Sequence, residues 1–412
     1  MSITKKGKKY YLGKPDKREI PRFSLSTIVS MDSSKWDLEL SMPVNAPEME
    51  KLLDKFQGQV LEDNPFFGKT FLTAAFSRMN TRETSLLTVW ETVDSQKYLR
   101  MYFPVVRERM GIPGRKTLRC WSHDYAPLGV PIICRDDAGE VIDRFLQLLN
   151  QAEFPGISSL VFRDIPLNGI FATRIREILH ESNMLFRQVA ITDRAVLQRN
   201  LINRSQNILD INSKMRRNYR RQLRRLSDNG DLQLERVENY QDVILRFEEF
   251  LLLESSGWKK RRRTSMLTIK QTAAFARQAV TELSKFGESS IYSIRLDGKS
   301  VASLIMIKSN GTYFPWKIAI DENFSRFSPG ALLMFRVSES LENDDNFVRA
   351  DSLAASSSQL VNPIWKQRIE LGLLILPVGS PSNRAIGKLS KAITRKERLR
   401  NFSKKLLKIK SH

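Results

Sequence analysis

The sequence predicts an α/β (α+β) protein of two domains, each a mixed, mostly antiparallel sheet flanked by helices. Three observations carry this expectation. The chain has 412 residues, too many for one ordinary core and enough for two. Short apolar runs of β type are interleaved with segments whose apolar residues recur every three or four positions, so strands and helices alternate. In the second half, three strands follow one another through Asp297-Gly298 and Asn310-Gly311, pairs that favour two-residue hairpin turns, and a helix and a further strand come after them.

Residues 1–22 read as a flexible basic arm, 23–195 as the first domain, 196–382 as the second, and 383–412 as a basic tail. In the first domain, TSLLTVWETV (84–93) and YLRMYFPVV (98–106) predict two strands joined at Asp94–Gln96. The spacing of Val141, Ile142, Phe145, Leu148 and Leu149 predicts a helix over 139–154. Residues 158–165 read as a strand, 168–182 as a helix and 185–191 as a strand. The second domain opens on INSKMRRNYRRQLRRL (211–226), where Met215, Tyr219, Leu223 and Leu226 make one apolar stripe on a helix otherwise faced with arginine. Gly230 stops it. Helices over 237–255 and 269–287 precede the meander of 290–296, 299–308 and 312–320. Pro315 removes a ladder donor, so the third of these strands is interrupted, bulged or at an edge. A helix over 329–341 and a strand over 346–353 imply a parallel, right-handed crossover. A helix near 362–372 and a strand over 373–378 are expected to close the domain.

Composition narrows the function. Apolar residues make up 41% of the chain, enough for real cores, and no run of about 18 apolar residues reads as a membrane span. Cys120 and Cys134 have no ligand-like neighbours, so neither a disulfide framework nor a metal site is expected, and the protein reads as cytoplasmic. The net charge is +22 and concentrated: residues 211–226 hold seven Lys or Arg and no acid, and the tail from Arg384 holds a single acid, Glu397. Such clusters either form solvated faces or attract polyanions: nucleic acid, anionic lipid or a phosphorylated small molecule.

Ser328-Pro329-Gly330-Ala331 stands where strand hands over to helix. Ser328 suits an N-cap, and Pro329 suits the first helical position. Gly330, Ala331 and Leu332 then offer amides with little side chain in front of them, a seat for an anion at the positive helix end, and Arg326 adds a charge. A plain helix start reads from the same residues. The strand before it tips the reading toward a ligand, because a strand leaving its neighbour exposes backbone groups that suit an extended, amide-bearing molecule.

A three-stranded meander, an Arg-x-x-small-Gly-Ala turn into a helix, and a parallel strand together resemble the GCN5-related N-acetyltransferase (GNAT) fold. The phosphate-binding signature of that fold is Gln/Arg-x-x-Gly-x-Gly/Ala; here Arg326-Phe-Ser-Pro329-Gly330-Ala331 has proline where the signature has its first glycine. The wider chain resembles the CelD-type acetyltransferases associated with cellulose and exopolysaccharide biosynthesis, similar to FemABX transferases. The likeness rests on SKMRRNYRRQLRRLSDNG (213–230), FLLLESSGWKKRRRT (250–264), IYSIRLDGKSVA (291–302), KIAIDENFSRFSPGALL (317–333) and ADSLAASSSQLVNPIW (350–365), with CWSHDYAPLGVPI (120–132) in the first half. It implies two tandem GNAT-like domains, only the second with an acyl-CoA site.

What this implies is an acyl-CoA-dependent N- or O-acyltransferase. Acetyl-CoA or another acyl-CoA is the co-substrate, and the acceptor is a saccharide, a lipid-linked molecule or an amine. Direct attack on the thioester needs positioning and carbonyl polarisation, and calls for no metal. Arg326, Ser328, Gly330, Ala331 and Leu332 are the expected coenzyme contacts. Asp351 reads either as a proton acceptor or as a structural carboxylate paired with Arg349 or Lys366. Glu254 reads either as a wall of the acceptor site or as an ordinary helix end. Trp258 and Lys259 are placed for substrate or for the coenzyme's 3′-phosphate, and equally for packing and solvent. Asn362 and Trp365 fit the family pattern as lining residues. His123 reads as a hydrogen-bonded structural residue. The rival readings are a non-catalytic GNAT scaffold and a basic protein that binds nucleic acid or an anionic membrane.

Overall fold

The computed structural model describes residues 27–30, 35–41, 46–79, 81, 83–109, 116–199, 209–257, 261–379, 386–392 and 394–395. The expected arm at 1–22, and Trp258 and Lys259, lie outside the described residues.

In the first half the strands are β1 (Thr27–Ser30), β2 (Trp36–Ser41), β3 (Thr84–Val93), β4 (Gln96–Glu108), β5 (Lys116–Cys120), β6 (Ile132–Ile133), β7 (Ile157–Pro166) and β8 (Arg187–Gln198). With them stand α1 (Ala46–Leu53), α2 (Lys69–Arg78), α3 (Ala138–Gln151) and α4 (Ile170–Glu181). The second half adds α5 (Ser213–Ser227), β9 (Leu232–Val237), α6 (Tyr240–Ser256), α7 (Lys270–Lys285), β10 (Ser289–Leu296), β11 (Lys299–Ser309), β12 (Thr312–Ile320), α8 (Pro329–Glu342), β13 (Arg349–Asp351) and β14 (Gln367–Pro377). Turn chemistry places the hairpins. Asp94-Ser95, Asp297-Gly298 and Asn310-Gly311 all take positive φ at both residues, the turn whose twist matches paired strands.

The two halves share one sheet, ordered β1-β2-β3-β4-β5-β7-β14-β8-β13-β12-β11-β10-β9, with β6 beside β4. The expected meander of β10, β11 and β12 and the parallel return to β13 are present. The last strand differs from expectation. β14 does not close the second domain on itself but lies between β7 and β8 of the first half, antiparallel to both. The helix expected near 362–372 is absent. Gln367 to Leu371 pair with Val196 to Thr192, and this long-range ladder overrides the local helical spacing. The strand expected over 346–353 is regular only at 349–351. A strand unforeseen from the sequence, β9, continues the meander at the sheet edge.

Helices cover both faces. On one, α2, α6 and α7 bury an aromatic cluster drawn from both halves: Phe71 packs edge-to-face on Phe275 at 5.1 Å and on Trp316 at 5.9 Å. On the other, the apolar stripe of α5 lies on α8, with Tyr219 stacked on Phe335 at 4.7 Å. The two halves are also joined by polar contacts. Asp63 accepts from Asn310 Nδ2 (2.8 Å), Thr312 Oγ1 (3.0 Å) and Ser309 Oγ (3.1 Å), holding the β11–β12 turn. The start of the basic tail, 386–392, is helical and buries Ile386 and Leu389 against Leu373 and Ile375. Among the described residues, no helix is long and apolar enough to cross a membrane.

Candidate active site

β12 and β13 pair at only two positions, Thr312 with Arg349 and Tyr313 with Ala350, and then part. From Phe314 to Ile320, β12 is paired on one side only. A bulge helps it turn away: Ile305 faces Lys317 and Met306 faces Pro315, so Trp316 is the extra residue. The expected interruption at Pro315 is therefore a bulge. In the gap lies a cavity of about 570 Å³. Its walls are mostly apolar, including Leu304, Ile318, Met334 and Leu360, with Glu254, Lys317, Ser325 and Ser328 among the polar groups.

The start of α8 forms the floor. Ser328, Gly330 and Ala331 all line the cavity. The capping chemistry departs from expectation. Ser328 is the N-cap residue but takes φ 52° and ψ 52°, and its side chain accepts no helix amide. Its carbonyl does the work instead, accepting from Ala331 N at 2.9 Å and Leu332 N at 3.1 Å. Of the three amides in the expected anion seat, only that of Gly330 has no acceptor among the described residues. Leu332 is wholly buried in the α5–α8 core, away from any ligand. The space in front of Gly330 is tight: a Cβ there would stand 3.1 Å from Ile320 Cγ2 and 3.2 Å from Leu360 Cδ1, so these side chains would have to shift by a few tenths of an ångström. Arg326 is exposed beside this floor, lying over the Phe327 ring and donating to Asn229 Oδ1 at 3.4 Å.

Glu254, at the end of α6, is buried, lines the cavity, and accepts from Met266 N at 2.8 Å. Asp351 is elsewhere. It is completely buried and paired with Arg194 Nη1 at 3.1 and 3.3 Å, and it also accepts from Leu353 N at 3.0 Å. A carboxylate so enclosed cannot reach an acceptor, and its partner comes from β8 rather than from Arg349 or Lys366. Trp365 is likewise core: fully buried, with Nε1 donating to Ser338 Oγ at 2.8 Å. Asn362 donates to the Ser356 carbonyl at 2.6 Å and braces the loop that carries Leu360.

The first half braces two lining residues, a role that sequence reasoning did not assign to it. Trp316 Nε1 donates to the Tyr125 carbonyl at 2.9 Å, and Lys317 Nζ donates to the Asp124 carbonyl at 2.8 Å while lying 4.5 Å from the Tyr125 ring centroid. Burial, followed by the charges of Glu254 and Asp124, pushes the Tyr125 hydroxyl up to about 12, so it stays protonated. His123 next to it lies 4.6 Å from the Trp121 ring at a tilt of 49°, and burial lowers its pKa to about 4. The signal for this brace was the stretch 120–132, whose aromatic and polar residues are too dense for a plain connection.

Residues 213–355 match the acetyltransferase (GNAT) domain family. The second half of the chain is similar to a GNAT domain over most of its length. That match spans α5 through β13 and so contains the parting strands and the floor of the cavity. No curated protein matches the chain. Among solved structures, the C-terminal domain (DUF2156) of a putative lysylphosphatidylglycerol synthetase from Agrobacterium fabrum shares the fold at 12% identity and a TM-score of 0.50, covering 85% of this chain and 97% of that one. FemX aligns at 9% identity and a TM-score of 0.49 over 84% and 99% of the two chains. A tandem GNAT protein from the clavulanic acid pathway aligns at 10% and 0.39 over 84% and 100%. The first of these shows that the fold shared with that domain runs over both halves of the chain, and the family match lies in the second.

Proposed function

We propose that the protein is an acyl-CoA-dependent acyltransferase that moves the acyl group directly from the thioester to a nucleophilic acceptor. The observation that carries this reading is the cavity where β12 leaves β13, floored by Gly330 and Ala331. The residues present suit such a co-substrate. The unpaired edge of β12 offers backbone groups to an extended amide chain. The Gly330 amide, near the positive end of α8, faces the place for a diphosphate, with Arg326 beside it. The apolar walls exclude water from a thioester, which favours attack by the acceptor over hydrolysis.

Glu254 is the carboxylate we assign to the acceptor, to orient it and take its proton. Lys317, held by Asp124 and Tyr125 of the first half, shapes the acceptor side. The resemblance to the CelD-type branch favours an acetyl group and a saccharide or other envelope-related acceptor, with a lipid-linked molecule or an amine as further forms of the same nucleophile.

The test is acetyl-CoA binding followed by turnover. Saturating acetyl-CoA, at about one hundred times Kd, is expected to stabilise the fold by about 2.7 kcal/mol and raise Tm. Acceptor-dependent release of the CoA thiol is then expected, with kcat reduced ~10²–10⁴-fold in Glu254→Gln while the Tm rise persists. A Tm rise without thiol release across amine, sugar and lipid-linked acceptors would leave a scaffold. No Tm rise would refute the coenzyme site.

A further inference from the structure

Helix α5 has a use beyond covering α8. Its apolar stripe faces the core, and Tyr219 and Leu226 are buried there. Lys214, Arg217, Arg220, Arg221, Arg224 and Arg225 are all exposed. At 100° per residue these six fall within about 140° of arc, opposite the stripe, over roughly 16 Å of helix. Among the described residues, none of the six has an ion-pair partner. The cations that are paired, Arg216 and Arg336, share Glu339 at the buried side. The face is thus a dense, uncompensated positive strip on a rigid element.

Beside it runs a groove of about 460 Å³ between α5 and the edge strand β9. Leu223, Leu232 and Leu234 contribute apolar surface to it, and Arg220 and Arg224 stand along it. Leu234 is 42% exposed. Cations above an aliphatic trough suit an anionic headgroup with its hydrocarbon. They suit nucleic acid less, because single-stranded bases want exposed aromatic faces. The rings on this side, Tyr219 and Phe335, are buried against each other.

We propose that the cationic face of α5, with the α5–β9 groove, docks the protein on an anionic phospholipid bilayer. The turn after α5 holds Asn229, which binds Arg326, and Arg326 lies between the cavity-lining Ser325 and Ser328. Docking through α5 therefore engages an element linked to the cavity floor. Docking stands independently of acyl transfer, and the Tm rise with acetyl-CoA keeps the two apart.

The full chain is floated with vesicles of phosphatidylcholine, alone or with phosphatidylglycerol, at about 0.1 M salt. Binding is expected to the anionic vesicles only and to weaken with added salt. Each exposed Arg or Lys strengthens attachment roughly fivefold, so Arg217→Gln, Arg221→Gln and Arg224→Gln together are expected to weaken it roughly a hundredfold. The corresponding triple lysine variant is expected to retain it, and both variants to keep the acetyl-CoA effect on Tm. Leu234→Asn is expected to reduce vesicle binding several-fold without changing binding to double-stranded RNA. Equal binding to neutral vesicles overturns the proposal. So does an undiminished glutamine triple, which would assign attachment to the arm or tail, and so does tighter binding of RNA than of anionic vesicles at the same salt.

Discussion

His123 is held neutral beside the candidate site, and that has a consequence for stability. Burial lowers its pKa from the ordinary 6.5 to about 4. Above the unfolded value there is no penalty. As pH falls below about 6.5, the unfolded chain takes up a proton that the folded chain refuses until about 4, so stability drops through that window, by roughly 2 kcal/mol at pH 5. A His123→Gln variant lacks this contribution. Urea denaturation at pH 7 and pH 5 is expected to show a smaller acid loss for the variant than for the parent. Parallel losses would mean that His123 is solvated in the native state. The same scale shows what single residues disclose in sequence. Gly330 and Glu254 stood out because glycine at a helix start and a carboxylate at a helix end each imply a local environment, and both line the cavity. Asp351 was not, since its partner Arg194 is 157 residues away and nothing local points to it. Ser328 looked like a side-chain cap, but its left-handed backbone turns the carbonyl, not the hydroxyl, to the helix.

Among elements, the short pairing of β13 sets both the cavity and a point of vulnerability. β13 touches β12 at two positions and β8 at three, and the Arg194–Asp351 pair lies across the second junction. Both side chains are buried, so removing one charge strands the other. Asp351→Asn is expected to cost ~3–5 kcal/mol, and pairing it with Arg194→Met to recover much of that. Chemical denaturation of the single and double variants measures both; a single-variant loss below about 1 kcal/mol would show that the pair is hydrated. The elements best read from sequence were those with strong local signals: the hairpins at Asp297-Gly298 and Asn310-Gly311, and the striped helix α5. Those misread were set by distant partners. Gln367 to Leu371 form strand because β8 is there to receive them, and β9 forms because β10 offers an edge.

At the scale of the whole molecule, the two halves form one sheet, and the site of the second half is buttressed by the first. The parting strands, the glycine floor and Glu254 come from the second half, while the loop around Tyr125 in the first half braces Trp316 and Lys317. The tandem arrangement was legible from the order of elements and from resemblance; the exchange of β14 into the first half was not, because a strand's sequence does not say which sheet it joins. Part of the charge of +22 lies on the exposed face of α5. The most direct measurement is a crystal structure with acetyl-CoA soaked in. The account predicts the diphosphate within hydrogen-bonding distance of the Gly330 amide and the thioester between β12 and β13, on the side of Glu254. A coenzyme seated elsewhere, or a cavity that remains empty at saturating concentration, would contradict it.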